Sequence, residues 1–211
     1  MLKLENLTVG YEGKPVITMH SLALGERDQC LVTGSSGSGK TSLLYAIAGL
    51  MPIMKGRIVV NGLDITRLPE VEMDRFRGVN IGIIFQTLHL MRSLTVTENL
   101  LLSSYAVGTP PDLLHIERTL RRLDIYDKRD ALPNNLSQGQ AQRVGIARAI
   151  MHYPKLILAD EPTSSLDDRN CETVIALIKE VAEETGAALL IATHDGRVKA
   201  HFSNVINFEQ R

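Results

Sequence analysis

The sequence predicts an α/β protein: a mainly parallel sheet covered by helices on both faces, an antiparallel β subdomain on the N-terminal side, and an inserted α-helical subdomain. Two stretches carry this expectation. From Lys155 the chain reads as an apolar strand Leu156–Asp160, a helix of about Asp167–Glu184, and a second apolar strand Ala188–Thr193. Strands that are apolar throughout and joined by a helix belong to a parallel sheet buried on both faces. Near the N-terminus the pattern is different. Strands near Leu2–Val9 and Val16–Leu24 are followed by Arg57-Ile-Val-Val60 running into Asn61-Gly62, the dipeptide that favours a tight turn between antiparallel strands.

The remaining elements follow in order. Cys30–Thr33 is an apolar strand, and a helix runs from about Gly39 to Ala48. Glu70–Arg77 is helical and Ile81–Phe85 is a short buried strand. A helix from Thr95 to about Ala106 has Thr95 as its cap and Glu98 three residues on, a capping box; Gly108-Thr-Pro-Pro111 ends it. Asp112–Leu123 is the next helix, and Ser137 caps one that reaches about Met151. The expected organisation is one domain. Residues 1–87 and 155–211 form the core and β lobe, and about 88–154 form a helical lobe between two sheet segments. There is no internal repeat and no low-complexity segment.

With 211 residues, 44% of them hydrophobic, the chain can bury a substantial core. A formal net charge of −1 gives no electrostatic footprint for nucleic acid or anionic lipid, and no nucleic-acid partner is expected. Charged residues or glycines interrupt every apolar run before it reaches membrane-spanning length, and the start Met1-Leu-Lys-Leu-Glu-Asn lacks the apolar stretch of a signal peptide. Cys30 and Cys171, the two cysteines, are too few and too isolated for a metal site or a disulfide framework, and both read as reduced residues of a cytosolic protein.

Two motifs carry chemistry. Gly34-Ser35-Ser36-Gly37-Ser38-Gly39-Lys40-Thr41 is a complete G-x-x-x-x-G-K-[ST] phosphate loop between a strand and a helix, with Ser42 directly after it. Its glycines let successive backbone N–H groups curl around phosphates, and the helix that follows presents its positive end to them. Lys40 is placed for the β- and γ-phosphates of a nucleoside triphosphate and the Thr41 hydroxyl for Mg²⁺. The fold class therefore contains a phosphate-loop NTPase core. In the second motif, the strand Leu156–Asp160 ends in two consecutive acids at the sheet edge where ligand crevices open. Asp160 can hold Mg²⁺ and Glu161 can polarise an attacking water.

Leu136-Ser-Gln-Gly-Gln140-Ala-Gln-Arg-Val-Gly-Ile-Ala-Arg-Ala-Ile150 resembles the signature motif and helix of ABC-type ATPases, and it lies upstream of the two acids as it does in that family. Ser137, Gly139 and Gln140 at a helix start offer a hydroxyl, N–H groups and a positive dipole, a set suited to a phosphate; Ser137 serves as an N-cap in either case. The resemblance implies that this loop completes the site of a second copy across a head-to-tail dimer. It also implies roles for four further positions: Tyr11 resembles the aromatic that stacks on adenine, Gln86 the glutamine that senses Mg²⁺ and γ-phosphate, Ser164–Asp167 the loop that crosses the dimer interface, and His194 the switch histidine.

The likeness extends from about Leu2 to Phe208. The segments Asn80–Gln86, Leu94–Leu100 and Leu158–Thr163 look most like ATPases of macrolide export, lipoprotein release and cell-division transporters. One position departs from the family: Gln138 stands where the signature has glycine, which a left-handed backbone or a tight approach would disfavour. The end at Arg211 implies no extra regulatory domain of the kind carried by some importer ATPases. The implied protein is an ATP·Mg²⁺-hydrolysing subunit on the cytoplasmic face of the cell membrane, driving separate integral membrane permease subunits. The groove near Gln86–Leu100 is where a permease would dock, although Leu88, Leu90, Met91 and Leu94 suit packing within the helical lobe equally well. A soluble ABC ATPase acting on DNA or ribosomes would carry a coiled-coil insertion or a second cassette and basic surfaces. A purely regulatory nucleotide-binding module is supported by Gln138 alone and opposed by Glu161 and His194.

Overall fold

The computed structural model describes residues 1–164 and 166–208. Strands β1 (Leu2–Tyr11), β2 (Lys14–Leu24), β4 (Ile53–Val60) and β5 (Leu63–Asp64) form an antiparallel sheet in the order β2-β1-β4-β5. Asn61 and Gly62 between β4 and β5 both have positive φ, 49° and 80°, as a tight hairpin turn requires. The second sheet is parallel, in the order β6-β7-β8-β3-β9. It comprises β3 (Gln29–Gly34), β6 (Ile81–Ile84), β7 (Leu156–Asp160), β8 (Ala188–Thr193) and β9 (Val205–Phe208).

Strand β9 is the element that the sequence pattern does not announce. It has four residues, none of them fully buried, and Asn207 interrupts its apolar character. Pairing with β3, Leu31 opposite Val205 through Gly34 opposite Phe208, is what defines it. The register also explains Gly34. A Cβ there would stand 2.4 Å from the Phe208 carbonyl oxygen, so only glycine lets β9 close against the start of the phosphate loop.

The helices are α1 (Lys40–Ile47), α2 (Glu70–Asn80), α3 (Val96–Val107), α4 (Leu113–Arg122), α5 (Gln138–Ile150), α6 (Asp168–Thr185) and the short α7 (Gly196–Lys199). The parallel strands alternate side chains between two hydrophobic cores. Cys30, Val32, Leu156, Leu158 and Leu190 join Leu43 and Ile47 of α1 and Leu2, Leu4 and Leu7 of β1 on one face. Leu31, Ile157, Leu189 and Ile191 join Leu100 of α3, Leu120 of α4, Val144 of α5 and Val174 and Ile178 of α6 on the other. Truncating a fully buried leucine of this kind to alanine costs roughly 2–5 kcal/mol.

Local capping fixes where the helical segments begin. Thr95 and Glu98 form the expected reciprocal capping box, and Gly108 closes α3 in the left-handed region at φ 73°. Ser137 and Gln140 form a second box at the start of α5. Gln138 is the first helical residue of α5 and is not among the positive-φ positions, so the backbone accepts a glutamine there without strain. The apolar run after β6 divides. Leu90 packs against the helical-face core and Leu88 lies over Gly145 of α5, whereas Met91 is 51% exposed.

Candidate functional site

Sheet order assembles the site. Because β7, β8 and β3 are consecutive neighbours in the parallel sheet, the segments leaving their carboxyl ends meet at one edge. The segment after β3 is the phosphate loop, in which Gly37 and Gly39 hold φ of 80° and 93°. A side chain would be strained there, and these angles turn the backbone into α1. Lys40 is 5% exposed, and its Nζ donates to the carbonyls of Gly34 at 2.8 Å and Ser35 at 2.9 Å. Ser38 Oγ is buried and has no hydrogen-bond partner among the described residues. A loop whose lysine is folded over it and whose buried hydroxyl is unpaired fits a phosphate chain, which would supply the missing acceptors.

The segment after β7 brings the acids to this loop. Thr41 Oγ1 donates to Asp160 Oδ1 at 3.0 Å, so two of the three residues expected at Mg²⁺, Gln86 being the third, are in contact, and a hydroxyl beside a carboxylate is a donor set that suits a hard cation. Burial pushes the Asp160 carboxyl above its ordinary pKa, the Thr41 hydrogen bond opposes this, and the neighbouring Glu161 carboxylate adds to it. Glu161 is 8% exposed and holds φ of 47°, a left-handed conformation uncommon for a residue with a side chain and found where surrounding contacts over-determine it.

Those contacts are visible. Thr193 Oγ1 donates to Glu161 Oε2 at 2.7 Å, the His194 backbone N–H donates to Oε1 at 3.1 Å, and His194 Nδ1 lies 2.7 Å from Oε1. Lys40 Nζ stands 4.0 Å from the same oxygen. The structure thus gathers Lys40, Thr41, Asp160, Glu161 and His194 into one cluster.

The other expected positions are arranged around it. Gln86 is exposed and shares a cleft of about 320 Å³ with Gln138, Gln142, Glu161 and Ser164. Tyr11 ends β1 with 58% exposure, within electrostatic reach of Tyr45 on α1. Ser137 and Gln140 are hydrogen-bonded to each other at the surface, Ser137 N to Gln140 Oε1 at 2.9 Å and Gln140 N to Ser137 Oγ at 3.3 Å. Gly139 faces Asn170 of α6 instead of the phosphate loop of its own chain. Ser165, in the segment likened to an interface-crossing loop, lies outside the described residues.

Two polar residues of the site escape sequence reading. Thr193, fully buried, is the last residue of an apolar strand, and nothing local marks it as a partner of Glu161. Gln142 is 7% exposed, lines the cleft, and has a buried Nε2 without a partner among the described residues. Its signal was its spacing: four residues after Gln138, it occupies the same face of α5.

The family model described as ABC transporter matches residues 18–164. The chain belongs to the ABC transporter family. It is 39% identical over 199 residues to the ABC transporter ATP-binding protein YtrE of Bacillus subtilis, covering 92% of this chain and 86% of that one. It is 37% identical over 195 residues to the lipoprotein-releasing system ATP-binding protein LolD of Leptospira interrogans, covering 92% and 82%. Among solved structures it superposes on the bacterial ABC transporter cassette MJ0796, solved as a dimer, with a TM-score of 0.88, 30% identity, and 99% and 94% of the two chains covered. A post-hydrolysis dimer of that cassette bound to ADP and Pi matches with the same TM-score. The ABC chain described here is an ATPase subunit of transporter type with a phosphate-loop α/β fold. No helix among its described residues is long and apolar enough to cross a membrane.

Proposed function

We propose that the cluster at the ends of β3, β7 and β8 hydrolyses ATP, with Lys40 holding the β- and γ-phosphates, Glu161 preparing the attacking water and His194 contacting the γ-phosphate. The observation that carries this reading is the convergence on Glu161, whose carboxylate is held by Thr193 and His194 and lies 4.0 Å from the Lys40 ammonium. A carboxylate fixed by donors on one side keeps lone pairs for a water on the other, the geometry a general base needs. His194 meets Glu161 through Nδ1, which leaves Nε2 as its ring atom for the γ-phosphate. Thr41 and Asp160 are the residues that would hold Mg²⁺, which when bound neutralises charge developing on the phosphates.

Two copies close head to tail around ATP, each contributing the Ser137–Gln140 segment to the other's site. The exposed position of Ser137 and Gln138 and the dimeric arrangement of the MJ0796 cassette support this reading. Tyr11 supplies a ring face for adenine, and Gln86 links the cluster to the helical lobe of about 88–154, beside which integral membrane permease subunits dock. The subunit then works at the cytoplasmic face of the membrane, in an export, lipoprotein-extraction or mechanotransmission system.

Lys40→Ala tests the site directly. Loss of one preorganised charge-stabilising group costs about 10²–10³ in kcat, so steady-state hydrolysis should fall by about that factor and ATP binding should weaken. Turnover surviving within about threefold of the parent would remove Lys40 from the mechanism.

A further inference from the structure

The segments after β7 and β8 are joined by more than the Glu161–His194 contact. Arg197, in α7, donates through Nε to both carboxylate oxygens of Asp195, at 2.9 and 3.0 Å, and through Nη2 to Oδ2 at 2.7 Å. Its other contacts cross to the segment before α6. Nη1 reaches Asp168 Oδ1 at 2.6 Å, and Nη1 and Nη2 both reach the Leu166 carbonyl at 3.2 Å. A planar guanidinium holds such a fork at fixed angles, which a lysine ammonium does not.

Asp195 continues the connection inward. Its side chain is 11% exposed, and Oδ2 also accepts from the fully buried Thr163 hydroxyl at 3.1 Å and faces the Cys171 thiol at 3.8 Å. Its backbone N–H donates to Thr193 Oγ1 at 3.0 Å, the same hydroxyl that donates to Glu161 Oε2. An unbroken path of hydrogen bonds therefore runs from Leu166 and Asp168 through Arg197, Asp195 and Thr193 to the carboxylate of Glu161. Arg197 holds the Asp195 carboxyl down at about 2, well below its ordinary pKa, so that it accepts as an anion. A helix cap alone does not account for this arrangement. Capping α7 requires one Asp195 oxygen to accept from the Arg197 N–H, which it does at 3.0 Å, whereas the guanidinium reaches residues 29 and 31 positions away.

We infer that Arg197 is a positioning residue for ATP hydrolysis: it makes the turn entering α6 and the Glu161–His194 pair a single mechanical unit, so that displacement of Leu166 and Asp168 reaches the carboxylate through Asp195 and Thr193. This rests on the proposed roles of Glu161 and His194. The turn entering α6 is part of the segment likened to a dimer-interface loop, so the path would report closure of a second copy to the hydrolytic group while leaving Lys40 and Thr41 free to hold nucleotide.

The test measures kcat and KM for ATP with the full chain for Arg197→Ala, Arg197→Lys, Thr193→Val and the Arg197→Ala/Thr193→Val double variant, with thermal melting of each and Glu161→Gln as the reference. A coupling carried by such a network is worth roughly 2- to 30-fold. Arg197→Ala should lower kcat about tenfold with KM unchanged within about threefold. Arg197→Lys, which keeps the charge but loses the fork, should lower kcat by a similar factor, and it decides the matter if the alanine variant melts early. Because Arg197 acts through Thr193, the double variant should be no slower than Thr193→Val alone. Parent-like kcat in both Arg197 variants, or losses that multiply in the double variant, overturns the inference provided Glu161→Gln has stopped hydrolysis. If Glu161→Gln turns over normally, the underlying assignment of the hydrolytic group fails instead.

Discussion

Asp160 and Glu161 at the end of β7 are 2% and 8% exposed, while Ser137 and Gln138 at the start of α5 lie at the surface. Both segments carry groups suited to phosphate chemistry, and they are wired in opposite ways. The hydrogen-bond and ion-pair partners of the Glu161 carboxylate come from distant parts of the chain: Lys40, Thr193 and His194 converge on it. Around Ser137 the polar groups close locally, in a capping box whose two ends are three residues apart. A buried carboxylate is stable only with partners, so the end of β7 is preorganised by the fold itself. A capped helix start is complete without the rest of the protein, and its remaining N–H groups and positive end are free for an anion from outside the chain. One half of the proposed site is thus built by folding and the other half by association.

The largest effect that would sharpen this contrast is expected at Glu161. Removing a general base costs about 10²–10⁴-fold, so Glu161→Gln should nearly abolish hydrolysis while the ATP-bound dimer persists, because Lys40, Thr41, Asp160 and the α5 start remain. Single-turnover kinetics together with equilibrium ATP binding check both halves of the statement; unchanged turnover would break the comparison at its buried side. On that background, adding Ser137→Arg should prevent closure, since a long cation would replace a compact hydroxyl at a surface that must meet another copy. Light scattering after size exclusion, with and without ATP·Mg²⁺, should then show monomer while the monomer still binds ATP. A double variant that dimerises as well as Glu161→Gln alone would end the head-to-tail assignment.

The smallest effect separates packing from docking beside Gln86. Leu90 contacts the helical-face core and Met91 is half exposed, so Leu90→Asp should cost roughly 1–3 kcal/mol of stability, whereas Met91→Asp should stay within about 0.5 kcal/mol. In the complex with its permease, Met91→Asp is the substitution expected to uncouple ATP hydrolysis from transport. Equal melting losses at the two positions would assign both side chains to the core.

The α/β fold and the motifs were legible because they are contiguous. Apolar strands β7 and β8 show their burial in every residue, and Thr95 with Glu98 announces its helix through a three-residue spacing. Strand β9 was not legible, since three half-buried residues and one exposed asparagine form a strand only once Leu31–Gly34 lies beside them. The same applies to Thr193, Gln142 and Arg197. Each is an ordinary polar residue in sequence, and its relevance arises from a partner or a cleft that the chain reaches elsewhere.

By itself the sequence determined the chemistry that this protein can handle. Gly34–Thr41 bends its own backbone into a cradle, and the α5 start caps itself, because backbone conformation and nearest neighbours suffice for both. The tertiary structure decided which groups act on one another. The Thr41–Asp160 contact joins residues 119 positions apart, and it exists because the sheet is ordered β7-β8-β3 and not as the strands follow in the chain. Charge interactions and hydrogen bonds depend on distance and burial, and those are properties of strand order and packing that no local run of residues contains.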